Sequence, residues 1–316
     1  MREPLQAKAT IRLRPIPTHA GVSVISPASF ANDERVKRGM ERLRALEFSA
    51  QLGMATQARG PLYFAGTPDA RLADLHAAFA DKETSIVAAV RGGYGSNYLL
   101  EELDLDLIRS HMKPFFGYSD LTGIQLRLLD ELGLPAFHGP MVAADFASDN
   151  GVHLPSFRAS LAGEPYTLST HEGLRALRPG TARGTLYGGC LSILVAMLGT
   201  PWEPATEGKL LFLEDLAVKP YQVDRMLWQL RSAGKLDGVR GVVFGEMLEC
   251  TSPGAPANLL EDVILHFFRD ADFPIAIGLR SGHVSRENVT LTFGLEAELV
   301  ADTTAQLKIL EPAIRS

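Results

Sequence analysis

Ser119 stands where a short apolar strand turns into an amphipathic helix, in the segment KPFFGYSDLTGIQLRLLDELG. Leu121, Ile124, Leu128 and Leu132 recur at helical spacing, and Gly133 marks the end of that helix. A serine at such a turn exposes its hydroxyl while the first helical N–H groups point toward it. That arrangement suits a nucleophile and its oxyanion. Gly117 relieves crowding on one side, but Leu121 occupies the place of the second glycine of G-x-S-x-G. The same residues also make an ordinary helix N-cap, so the chemistry depends on partners.

Serine hydrolysis needs a base to take the hydroxyl proton and an acid to orient that base. Of the eight histidines, His138 and His283 follow apolar strands in short loops, where the sites of such sheets gather. His19 falls in an N-terminal arm and His153 opens a linker. His76, His111, His171 and His266 sit in helices or polar connectors. For the acid, KLLFLED offers Glu214 and Asp215 at the mouth of a strand. Adjacent strand residues point to opposite sides, so one of the two faces a given site. Asp215, nearer the turn, also suits capping of the helix that begins near Pro220. RGGYGS supplies successive glycines after a strand, whose N–H groups fit an oxyanion hole, a phosphate cradle or a plain turn. Tyr98 replaces the third glycine of the dinucleotide fingerprint, and the P-loop lysine is missing.

The elements that position these residues alternate. GVSVIS, PLYFAG, SIVAAVRGGYG and the strand before Ser119 read as apolar strands, separated by helices such as DERVKRGMERLRAL and TPDARLADLHAAFAD. Thr67 can cap the latter helix, with Pro68 in its first turn. This pattern predicts βαβ units and a parallel sheet covered on both faces. The expected division is an arm over 1–20, an α/β domain over 21–150 carrying the nucleophile, a linker over 151–183 and a smaller, strand-rich domain over 184–316. In that last region VTLTFG and AELVAD read as paired strands.

Composition narrows the function. The chain has 316 residues, 46% hydrophobic and 22% charged, with a formal net charge of −6. That size accommodates two domains, and that composition is globular. Net negative charge argues against a nucleic-acid partner. No run of about 18 apolar residues exists, so no membrane span is expected. Cys190 and Cys250 lack metal-site or CxxC spacing, which points to a reduced, cytoplasmic protein without a metal.

Taken together, the segments resemble the LD-carboxypeptidases, serine peptidases that include muramoyltetrapeptide carboxypeptidase and the microcin C immunity peptidases. The resemblance runs from Gly21 to about Leu299 through GVSVISPAS, RGGYG, GYSDLT, HGPM, GTLYGGCLSIL, LLFLED, DRML, SGHVSREN and FGLEAEL. It implies that Ser119 is the nucleophile, Glu214 the acid and His283 the base, with the cleft between domains as the site and a homodimer as the assembly. Two departures stand near that site. Cys190 replaces the asparagine of G-G-N-L, and Arg280–Ser281 replace a Pro-Phe pair before Gly-His.

The expected activity is therefore cofactor-free release of a terminal D-residue from a small peptide, through an acyl-enzyme. Gly93 and Asp120 are expected to supply the oxyanion-hole N–H groups, and Arg91 to pair with the substrate carboxylate. The favoured bond lies between an L-centre, such as that of diaminopimelate, and D-alanine in a murein tetrapeptide. Cleavage of a peptide–nucleotide amide is the alternative within the enzymes. A non-catalytic α/β ligand-binding protein is the alternative outside them.

Overall fold

The structure, a computed structural model, describes residues 8–315. Its first half alternates strand and helix: β1 (Gly21–Ile25), α1 (Asp33–Ala45), β2 (Ser49–Leu52), α2 (Pro68–Ala80), β3 (Ile86–Ala89), α3 (Leu105–Ser110), β4 (Phe115–Gly117), α4 (Thr122–Leu132) and β5 (Ala136–His138). Local chemistry sets the helix ends. Asn32, Thr67 and Asp104 accept hydrogen bonds from first-turn N–H groups of α1, α2 and α3. Pro68 occupies the first turn of α2, where a missing N–H costs nothing. Gly133 ends α4 at a φ of 72°, a left-handed conformation that suits glycine.

Every residue of β3, β4 and β5 is buried, as a sheet covered on both faces requires. Strands β2, β1, β3, β4 and β5 lie side by side and parallel. Strand order reverses between β1 and β3. In an open α/β sheet, ligands bind outside the carboxyl ends of the strands at such a switch point. The segments leaving β1, β3 and β4 there are Ser26–Ser29, Val90–Gly93 and Tyr118–Ser119.

The second half runs α5 (Leu154–Ala162), β6 (Tyr166–Leu168), β7 (Arg175–Arg178), β8 (Gly180–Cys190), α6 (Leu191–Ala196), β9 (Lys209–Glu214), α7 (Pro220–Ser232), β10 (Gly241–Gly245), α8 (Leu259–Phe267), β11 (Ile275–Leu279), β12 (Leu291–Phe293), β13 (Glu296–Ala301) and β14 (Gln306–Ile309). Eight of these strands form a second sheet in the order β6-β14-β13-β8-β9-β10-β11-β7. Its centre, β8 to β11, is parallel and its flanks are antiparallel. The fold class is thus α/β, with an N-terminal parallel sheet and a strand-rich C-terminal sheet.

Four expectations change. PLYFAG, expected as a strand, makes only the isolated bridge between Phe64 and Ser29, and the edge strand beside β1 is Ser49–Leu52 instead. The segment expected as a linker, 151–183, holds α5 and contributes β6 and β7 to the second sheet. The expected pairing of VTLTFG with AELVAD does not form. Instead β12 pairs antiparallel with β5 in the first sheet, while β13 pairs with β8 and β14 in the second. Gly294, at a φ of 95°, lets the chain turn between the sheets, and hydrogen bonds from Gly294 N–H to Leu186 and from Leu186 N–H to Leu295 fix the crossing. Finally, residues 1–7 of the expected arm lie outside the described residues, but Leu13 is buried and pairs with Ile314. Among the described residues no helix is long and apolar enough to cross a membrane.

Candidate active site

Ser119 has a φ of 64°, in the left-handed region that a residue with a Cβ occupies at a cost of roughly 1–2 kcal/mol. Its surroundings hold it there. A Cβ on Gly117 would lie 2.4 Å from Leu121 Cδ1, so glycine is what lets β4 run this close to the first residues after the turn. A Cβ on Gly92 would lie 3.0 Å from Ser119 Cβ and 3.2 Å from its Oγ. The Thr122 hydroxyl donates to the Ser119 carbonyl at 2.8 Å. Buried Gln125 donates to the carbonyls of Phe115, Gly117 and Phe137, tying α4 to the strand ends on either side of the turn.

The glycine loop lies against this turn. Neither the Gly93 N–H nor the Asp120 N–H donates a hydrogen bond within the described residues, which leaves both available. The Asp120 side chain is turned away, its carboxylate accepting from Ser96 N–H at 2.8 Å and its carbonyl from the Ser96 hydroxyl at 2.6 Å. Arg71, 1% exposed, donates to the carbonyls of Pro27 and Gly95 and so joins the ends of two loops at the switch point. Nothing in its helical position within α2 distinguishes it in the sequence from a surface arginine.

Glu214 and Asp215 point opposite ways, as neighbours at a strand end must. Glu214, fully buried, accepts from His283 twice through one oxygen, at 3.0 Å from the backbone N–H and 2.7 Å from Nδ1. Burial alone would raise the Glu214 carboxyl, but His283 at hydrogen-bonding distance outweighs it and holds the group below its ordinary range. For His283, burial disfavours the charged ring. Glu214, with Asp215 and Asp145 further off, overcomes that and moves its pKa upward. Asp215 caps a helix, though not the one expected: its carboxylate accepts from Ser192 N–H in α6 at 2.8 Å. Gly282, at a φ of 89°, is required beside this pair, because a Cβ there would meet Glu214 Cδ at 2.5 Å.

His138, the other candidate base, is fully buried among the rings of Tyr118, Phe212 and Phe293. Burial pulls its pKa down to about 4, so it is a neutral core side chain. It does not line the cavity that holds Ser119.

Two further residues went unnoticed in the sequence. Asn288 accepts from Gly282 N–H at 3.0 Å and donates to the Gly282 carbonyl and to Asp145 Oδ1, both at 3.1 Å. Asp145, on a π-helical turn at Val142–Phe146, also accepts from Met141 N–H at 2.8 Å and faces the Tyr118 hydroxyl at 3.5 Å. Burial pushes its carboxyl up to about 7 against the pull of these donors. Tyr118 in turn sets its ring edge-on to His283, with centroids 5.2 Å apart. A hydrogen-bonded chain therefore runs from the neighbour of Ser119 to the neighbour of His283. Its ends fall within GYSDLT and SGHVSREN, but no motif marks Asp145 between them.

The result is a cavity of about 440 Å³ whose walls include Arg91, Gly92, Gly93, Ser119, Leu216 and His283, with Glu214 behind the histidine. The two sheets thus contribute to one cleft. Ser119 Oγ makes no hydrogen bond with His283 in this state. Arg91 is exposed and forms no ion pair among the described residues. The two departures from the family pattern do not line the cavity. Arg280 donates to the His171 carbonyl and the Ser281 hydroxyl to the Val289 carbonyl, which brace the base loop from outside. Among the described residues no group of three or more His, Cys, Asp or Glu side chains is arranged to hold a metal ion.

Comparison with known proteins agrees with this arrangement. The LD-carboxypeptidase N-terminal domain matches residues 22–139, and the LD-carboxypeptidase C-terminal domain matches 183–299. The "Probable murein peptide carboxypeptidase" of Bacillus subtilis (strain 168) is 38% identical over 294 residues, 91% of each chain. The solved muramoyltetrapeptide carboxypeptidase from Oxalobacter formigenes is 28% identical with a TM-score of 0.80, over 92% of this chain and 98% of that one. The microcin C7 self immunity protein MccF, solved with aspartyl sulfamoyl adenosine, has a TM-score of 0.88 at 22% identity over 96% of this chain and all of that one, a likeness of fold. The chain is a serine-type carboxypeptidase and belongs to the LD-carboxypeptidase family.

Proposed function

We propose that the protein releases the C-terminal D-alanine of murein tetrapeptides, with Ser119, His283 and Glu214 as the catalytic unit. The observation that carries this reading is one cavity lined by a strained serine, a histidine paired to a buried carboxylate and an unpaired arginine. The relatives named for murein peptides support the substrate.

In this mechanism the Nδ1–H of His283 donates to Glu214, which leaves Nε2 free to take the Ser119 proton. The alkoxide attacks the peptide carbonyl, and the N–H groups of Gly93 and Asp120 receive the developing oxyanion. Removing one such donor typically costs about 2.7–4 kcal/mol of barrier stabilisation. His283 then protonates the departing D-alanine amine. Water, deprotonated by the same ring, hydrolyses the ester and frees Ser119. Glu214 stays ionised throughout, orienting the ring and stabilising its charged form. Arg91 pairs with the terminal carboxylate through two parallel hydrogen bonds. The L-centre before the scissile bond directs its side chain along one wall, so a D-residue there would meet the wrong one.

The test is incubation with a murein tetrapeptide, its D,D-terminated pentapeptide and an aminoacyl sulfamoyl adenosine, followed by mass analysis. Loss of D-alanine from the tetrapeptide alone is expected. Preferred cleavage of the adenosine compound would move the assignment to an immunity-type peptidase. A cytoplasmic setting and a homodimer belong to the same proposal; fractionation of cells and sedimentation of the purified chain test them.

A further inference from the structure

We infer that Arg35 reads a second carboxylate, carried by the side chain of the residue before the scissile bond, so that the cleft selects peptides with an acidic group at that position. This rests on the carboxypeptidase reading above and sharpens its substrate.

The observation is an arginine held rigidly at the cavity wall with its charge uncompensated. Arg35 projects from the first turn of α1, and its Nε donates to the Ala143 carbonyl at 2.6 Å. Its Nη2 donates to the Ala144 carbonyl at 2.7 Å and to the Ser148 hydroxyl at 3.3 Å. The two N–H groups of Nη1 have no acceptor among the described residues. The guanidinium is thus fixed in orientation by neutral partners, with the Nη1 hydrogens left over. Neighbouring arginines behave differently: Arg38 pairs with Asp149 and Arg59 with Asp33. Carboxylates are therefore at hand on this face, yet none is given to Arg35.

The cavity has the same imbalance. Arg35 and Arg91 line it without a carboxylate partner, no aspartate or glutamate is on its wall, and the one acid behind it, Glu214, is taken by His283. In a chain of net charge −6 this is a local concentration of positive charge. Two guanidinium groups on the wall of one cavity repel each other until anions enter. A peptide ending in a single carboxylate occupies one of them. Diaminopimelate before the terminal D-alanine brings a second carboxylate at the end of its side chain, within the same ligand. Lysine at that position brings an ammonium alone, and amidated diaminopimelate brings no anion. A fixed cation with its Nη1 donors free matches the first of these three and not the others.

The experiment uses the full-length protein and three tetrapeptides that differ only at the third residue: diaminopimelate, its side-chain amide and lysine. Wild type is expected to favour free diaminopimelate over the amide by roughly 10- to 100-fold in kcat/KM, the range of hydrogen bonds to a charged group. Arg35→Gln is expected to remove most of that preference, lowering kcat/KM on diaminopimelate while changing the amide and lysine peptides little. Arg35→Lys should restore part of it. An equal loss on all three peptides would reduce Arg35 to an anchor between α1 and the π-helical turn and overturn the inference. So would a wild type that treats acid and amide alike, a result that needs no variant to fold. Failure of wild type to release D-alanine from any of the three would instead refute the carboxypeptidase reading itself.

Discussion

Ser119 takes its shape chiefly from its own strand and helix: Gly117 two residues before it, Leu121 and Thr122 just after it, and Gln125 one turn on. His283 takes its shape from far along the chain. Glu214 lies 69 positions away, and the Asp145 that anchors Asn288 lies 143 positions from it. One half of the proposed chemistry is thus built into a local turn under backbone strain, and the other into a loop held by residues far along the chain. The contacts that shape the Ser119 turn are mostly near in sequence, with one from Cys190 N–H to the Thr122 hydroxyl reaching across from the second sheet. Those that hold His283 come chiefly from far along the chain.

The sharpest test of that contrast is also the largest effect. Ser119→Ala and His283→Ala are each expected to lower kcat by at least roughly a thousandfold with folding preserved, and the double variant should be no worse than either. D-alanine release and thermal unfolding measure the two quantities. If Ser119→Ala kept a tenth of the activity, the proposed nucleophile would be wrong.

Glu214→Gln should come next, with a loss of about 10²- to 10⁴-fold, because an amide presents the wrong partner to Nδ1–H. It also bears on pH. His283 must be neutral to act as base, so kcat/KM rises with pH as the ring loses its proton. Since Glu214 raises that pKa, the limb in wild type should lie above the ordinary histidine value of about 6.5. In Glu214→Gln the chief raising partner is gone, and the residual activity should rise at lower pH than in wild type. A limb that stayed in place would mean that another group titrates.

The remote anchoring of the base loop predicts a third, smaller effect. Asn288→Ala removes the hydrogen bonds that fix Gly282 and frees Asp145, without touching substrate. A kcat lowered by about 10- to 100-fold at nearly constant KM is expected, in line with misplacing a catalytic group by about an ångström. A variant in the other region, Thr122→Val, loses the bond to the Ser119 carbonyl and the one accepted from Cys190 N–H, but leaves Gly117 and Leu121 to hold the turn. Its loss should be smaller than that of Asn288→Ala. The opposite ranking, in stopped assays on one tetrapeptide, would reverse the contrast between the two regions.

The same contrast explains what could be read from the sequence. The Ser119 turn was legible because strand, glycine and helical period lie in one window of residues, and the caps at Thr67 and Gly133 were legible for that reason too. His138 and His283 could not be told apart on local grounds, since both follow apolar strands. Their difference is that β12 and Phe212 close over one while Glu214 meets the other. Family resemblance, not spacing, selected His283. Likewise β12 and β13 alternate apolar residues in the same way whichever sheet they join, so their separation by Gly294 was invisible. Asn288 closes the SGHVSREN segment, but its partner Asp145 had no signal, because an Asp–Asn contact across the fold leaves no periodic trace. Asp215 showed how a correct role can be attached to the wrong helix: adjacency suggested α7, but the sheet brings α6 to it.

Cys190 lies where the two regions touch and gives the smallest expected effect. It ends β8 opposite Glu214 in the β8–β9 register, and its N–H donates to the Thr122 hydroxyl at 3.2 Å. The link to the nucleophile turn is therefore made by backbone, which any side chain preserves. The thiol itself is 3% exposed, with its sulfur 3.3 Å from the Ser192 hydroxyl. Burial, followed by the nearby Glu214 and Asp215 carboxylates, pushes its pKa well up, which disfavours the reactive thiolate. Replacing it by alanine should change kcat/KM by less than about threefold, or about 0.6 kcal/mol of barrier. Alkylating reagents should leave activity intact in wild type. A tenfold loss in Cys190→Ala, with thermal stability retained, would show that the side chain at the junction reaches the substrate, and the asparagine that the family pattern has there would then become the variant to compare.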